Sequence, residues 1–171
     1  AGGCMATILA IKLNAKRCFS FSGQFSIMDQ VSDGLLLHAY EKDEERNKYF
    51  DLTDDINEAS VPIYYFYPAR CEWDREQYQS IKQSDAIRSF GFNASKHGST
   101  MLSTNISRVL CMENEELDEL YDKYINKEIK RFDFAVKSTN LFCGMKIINN
   151  QIYKTLNRRI NNSKQKEGKN I

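Results

Sequence analysis

The run Val61, Pro62, Ile63, Tyr64, Tyr65, Phe66 and Tyr67 constrains the fold more than any other part of this chain. It is almost continuously apolar and aromatic, without the alternation of a strand that has one wet face. A strand of this kind is covered on both sides by helices, as in a parallel sheet. Pro68 is expected to close it.

Two more segments have β-prone character: residues 17–22, which run into Gly23, and residues 86–92. Helical patterns fall between them. Over residues 3–13, Met5, Ile8, Leu9, Ile11 and Leu13 point in nearly all directions, which predicts a helix covered on most sides and stopped at Asn14. A short helix is expected after Thr53, with the Thr53 hydroxyl as its cap and Asp54 and Asp55 at its positive end. Another spans about 74–82. Leu102, Ile106, Val109 and Leu110 form the apolar stripe of the next, and Leu117, Leu120, Tyr121, Tyr124 and Ile125 that of the last, for which Asn114 is the expected cap.

Helices alternating with strands predict α/β architecture built from βαβ units. The 171 residues, 42% hydrophobic with 8 Gly and 2 Pro, suffice for one sizeable core. The periodic pattern decays after about residue 131. The expected organisation is therefore a domain over 1–131, with an insertion or lid at about 29–60, and an extension over 132–171 consisting of a docked helix and a basic, disordered tail.

The formal net charge of +1 gives no global field toward nucleic acid or membrane. Charge is unevenly placed: Lys154, Arg158, Arg159, Lys164, Lys166 and Lys169 face only Glu167 in the tail. With no aromatic beyond Tyr153 to stack on bases, the tail reads as a solvated segment and no nucleic-acid partner is expected. The five cysteines (Cys4, Cys18, Cys71, Cys111, Cys143) include no CxxC pair, which argues against a disulfide scaffold or a zinc site. Cys4, Cys18 and Cys111 lie among apolar neighbours and are expected as reduced core residues, in keeping with a cytoplasmic chain. No stretch approaches the about 18 apolar residues of a membrane span. No phosphate loop, dinucleotide fingerprint or metal-ligand spacing is present, so neither cofactor nor metal is expected.

In a parallel sheet the loops after the strands gather at one edge, where ligands and catalytic groups collect. Arg70, Cys71, Glu72, Trp73 and Asp74 follow the 61–67 strand; Asn93, Ser95, Lys96, His97 and Gly98 follow the 86–92 strand. An acid and then a histidine in consecutive loops is the order that a Ser, Asp, His hydrolase needs. Ala1, Gly2 and Gly3 resemble the second half of a G-x-S-x-G nucleophile elbow, with Gly2 as the closing glycine and the serine expected one position before Ala1.

On these residues, positions 1 to about 130 resemble the C-terminal half of an α/β-hydrolase, beginning just past the elbow serine. The resemblance implies that residues 17–22, 61–67 and 86–92 are the sixth, seventh and eighth strands of the family's sheet. It implies that Asp74 is the triad acid, His97 the triad base and the Ala1 backbone N–H an oxyanion-hole donor. It further implies a carboxylester hydrolase with a small-molecule ester substrate, inactive as the isolated chain, whose sheet is completed by an upstream half or another chain. Glu72 remains an alternative acid, Asp74 an alternative cap for a helix starting at Arg75, and His97 an alternative plain loop histidine. Ser22 is a substitute nucleophile with neither elbow glycine in place, Cys4 a packing residue, and His38 a structural residue of the lid. The competing function is a non-catalytic α/β binding or assembly domain.

Overall fold

A computed structural model describes residues 2–26, 49, 51–138, 152 and 155. In chain order these residues form α1 (Gly2–Lys12), β1 (Cys18–Phe21), α2 (Thr53–Asn57), β2 (Ile63–Pro68), α3 (Glu72–Ile81), β3 (Ile87–Phe92), α4 (Ser103–Leu110), α5 (Asn114–Tyr124) and α6 (Arg131–Lys137). The strands form one parallel sheet in the order β1-β2-β3. The chain is thus a small α/β domain with a three-stranded parallel sheet flanked by helices. The expected lid at 29–60 and the tail beyond Ser138 lie largely outside the described residues, as do His38, Cys143 and Ala1.

β2 is central, and all six of its residues are buried, as its unbroken apolar run requires. Pro68 is the last residue of the strand and, having no N–H, donates nothing to the ladder. Alternate β2 side chains feed two cores. Ile63, Tyr65 and Tyr67 pack with Ile8 of α1, Ile56 of α2 and Ile81 of α3. Tyr64 and Phe66 pack with Phe90 and Phe92 of β3, Val109 of α4, Leu117 and Leu120 of α5 and Phe134 of α6. Phe21, Phe66 and Phe90 are register partners on adjacent strands, and their rings stack at 5.0 and 4.8 Å, so the second core is tied across the whole sheet.

The helix ends differ from expectation for local reasons. Thr53 does not cap α2; its N–H and hydroxyl both donate to Asp51 Oδ1, at 2.9 and 2.6 Å, in an Asx-type turn that leads into the helix. At α5 the cap is Glu113 rather than Asn114: Glu113 and Glu116 form a reciprocal capping box, and Asn114 instead bonds Arg17 and Lys16. The expectation for Cys111 is also corrected. It is the C-cap of α4 and exposed, while Cys18 is buried and Cys4 half-buried.

α1 is not covered all round. Thr7, Ile8 and Ala10 are buried, but Met5, Leu9 and Leu13, at i, i+4 and i+8, form an exposed apolar stripe. Its inner face approaches β1 very closely. A Cβ at Gly3 would stand 2.8 Å from the Gly23 Cα and from Ser20 Oγ, whereas nothing lies within 4 Å of a Cβ at Gly2. Ser20, fully buried, donates its hydroxyl to the Gly3 carbonyl at 3.1 Å across this contact. The glycine that the packing demands is therefore Gly3, not Gly2. Among the described residues β1 has β2 as its single sheet neighbour.

Candidate active site

The carboxyl ends of the three strands carry Ser22, Asp74 and His97. Cys71 is the N-cap of α3, so Asp74 is the third residue of the first helical turn, inside the helix rather than before it. A position two residues earlier is rotated by about 200° on a helix, which sends the Glu72 side chain to solvent and Asp74 inward. α3 is held by Gln77, one turn further along the same buried face. Its Oε1 accepts the N–H groups of Phe25 and Ser26 at 2.5 and 2.9 Å, and its Nε2 donates to the Ser26 carbonyl at 2.6 Å.

Asp74 is 1% exposed, and its Oδ2 stands 2.9 Å from Nδ1 of His97. Facing an ionised carboxylate, which only accepts, a neutral imidazole would carry its proton on Nδ1 and its lone pair on Nε2. Trp73 lies edge-on to the imidazole, ring centroids 6.4 Å apart. Two backbone bonds lace the acid loop to the histidine loop: Ala69 N–H to Phe92 O at 2.7 Å and Arg70 N–H to Ala94 O at 3.0 Å.

Ser22 has a role that its sequence context does not announce. It adopts a left-handed backbone, φ 47°, and its hydroxyl accepts the N–H of Gly98 at 3.2 Å. It thereby fastens the end of β1 to the residue after His97. Gly98 is itself at φ 76°, a conformation open to glycine at little cost. Cys71 is the other addition: its Sγ, an Asp74 carboxylate oxygen and a ring nitrogen of His97 lie within 4.8 Å of one another. Burial and the neighbouring Asp74 carboxylate push its thiol up, although hydrogen bonds from the Asp74 and Trp73 backbone act the other way. The helical i, i+3 relation of Cys71 to Asp74 was available in the sequence. The absence of a CxxC pair hid it, because the third member comes from a different loop.

A cavity of about 200 Å³ opens beside the ends of β2 and β3, lined in part by Tyr67, Tyr78, Gly91, Tyr124 and Lys127. Neither Asp74 nor His97 lines it.

No protein-family model, curated protein or solved structure matches this chain. Among the described residues no helix is long and apolar enough to cross a membrane.

Proposed function

We propose that this chain carries the acid and base of a serine hydrolase of the α/β-hydrolase type, acting on a small-molecule carboxylic ester. The observation that supports the reading is the bond between the buried Asp74 carboxylate, in the first turn of the helix after β2, and His97 Nδ1, in the loop after the adjacent parallel strand β3. In such a pair the carboxylate fixes the tautomer and stabilises the imidazolium, while Nε2 takes the proton of a serine hydroxyl and later returns it to the leaving alkoxide. Glu72 is exposed, whereas the carboxylate bonded to the imidazole is that of Asp74, which favours Asp74 as the acid. The nucleophile in this proposal is a serine one position before Ala1, and Ala1 supplies one oxyanion-hole N–H.

The test is a fluorophosphonate probe applied to the polypeptide extended upstream of Ala1 as it is encoded. Labelling of the residue before Ala1, abolished by His97→Ala, is the expected result. An extended polypeptide that is folded and unlabelled overturns the proposal in favour of a non-catalytic α/β domain.

A further inference from the structure

We infer that Cys71, Asp74 and His97 form a binding site for a thiophilic divalent cation of the Zn²⁺ class, coordinated by Cys71 Sγ, one Asp74 carboxylate oxygen and His97 Nδ1. The three ligand atoms lie within 4.8 Å of one another. A tetrahedral zinc with bonds of about 2.0 to 2.3 Å sets its ligand atoms roughly 3.3 to 3.6 Å apart. The nitrogen and oxygen, now 2.9 Å apart across a shared proton, need to part by only a few tenths of an ångström. The thiol closes the remaining distance by side-chain rotation.

The ligand set selects the metal class. One thiolate, one imidazole and one carboxylate suit Zn²⁺ and its relatives, whereas Mg²⁺ and Ca²⁺ demand oxygen alone. Three protein ligands leave a fourth position for water, and the imidazole supplies the opening, since its side chain is 47% exposed.

The frame is organised without the ion. Cys71 N–H bonds Pro68 O, and Arg75 N–H bonds Cys71 O, each at 3.0 Å, which sets the first turn of α3. The histidine loop is held by Ala94 O and by the Ser22–Gly98 bond. Binding therefore needs little backbone ordering, the main entropic cost of a site assembled from loops.

Proton balance is simple. The Cys71 thiol loses one proton to solvent, and the neutral imidazole moves its proton from Nδ1 to Nε2 so that the Nδ1 lone pair faces the ion. Because the thiol must be deprotonated to bind the cation, affinity rises with pH. Binding stands whether or not the hydrolase reading is right. If that reading holds, the bound ion also silences the base, because Nε2 now carries a proton.

The test is titration of the full chain with Co²⁺, followed by absorption. The expected result is a thiolate-to-cobalt charge-transfer band saturating at one ion per chain and bleached by Zn²⁺. The band disappears in Cys71→Ser, and His97→Ala weakens binding by at least about tenfold, the minimum typical of losing even an outer-shell partner. Cys111→Ser, which removes an exposed thiol elsewhere, leaves the titration unchanged. A wild-type chain with no charge-transfer band, or a band that survives in Cys71→Ser, overturns the inference. His97→Ala with undiminished affinity overturns it as well. Circular dichroism confirms that each variant is folded, and esterase activity is not part of the readout.

Discussion

Asp74 is almost wholly buried, while the His97 ring bonded to it at 2.9 Å is nearly half exposed, so the pair joins the protein interior to solvent. A carboxylate withdrawn from water and bonded directionally to the ring orients its partner well. A ring with one free nitrogen at the surface can reach a substrate.

Asp74→Asn keeps the shape of the side chain but presents an amide that can stabilise the wrong imidazole tautomer. In the upstream-extended polypeptide, the rate of fluorophosphonate labelling should fall by about 10⁴-fold, the cost typical of a misoriented triad histidine. Glu72→Gln should leave the rate unchanged, since Glu72 faces solvent. Equal effects of the two substitutions would refute the assignment of the acid.

Ser22 combines an uncommon backbone with a useful acceptor. Ser22→Ala keeps the left-handed strain and loses the bond to Gly98, at a cost of about 1 kcal/mol of stability. Ser22→Gly loses the same bond but relaxes the backbone, so it should be the milder of the two. Urea midpoints rank the variants; the opposite order would show that the serine φ is not strained.

The approach of α1 to β1 predicts a contrast between glycines. A Cβ at Gly23 would meet Ser20 Oγ at 2.4 Å and the Phe25 ring at 2.9 Å. Gly23→Ala should therefore destabilise by about 1–3 kcal/mol, the usual cost of overpacking. Gly2→Ala, with nothing within 4 Å, should be neutral or slightly stabilising. Thermal melts of the two variants check this directly.

Alkali should unfold the domain progressively. Burial, aided by the nearby Asp133 carboxylate, pushes Tyr124 up to about 12, and burial also raises Tyr64, Tyr65 and Tyr67. An unfolded tyrosine releases its proton near pH 10, so between about 10 and 12 the unfolded chain binds fewer protons than the native one. Stability is thus full below about pH 10 and falls as pH rises toward 12. Denaturant midpoints across that range test the slope, and Tyr124→Phe should make it shallower.

The legible part of this fold was the part set by burial. The apolar run of β2 announced a strand covered on both faces, and the order of elements placed an acid and a histidine at one sheet edge. Helix ends were harder, because Glu113 and Glu116 act reciprocally and Asp51 captures Thr53 before it can cap. Asp74 was separable from Glu72 only once the first residue of α3 was known, since a shift of two positions turns a side chain from solvent to core. Phe134 gives no periodic signal because α6 is too short to display one, yet its ring sits fully buried beside Phe66, Phe90 and Phe92.

Both loops that bear the pair spring from strands locked in a single ladder, with Tyr67 opposite Gly91 and Pro68 opposite Phe92. A slip of that ladder by one step would shift the carboxylate and the imidazole relative to each other by a full residue length. The bond between Asp74 and His97 therefore depends on correct strand alignment, and the same slip would also exchange the side chains that each face of the slipped strand presents to the two cores.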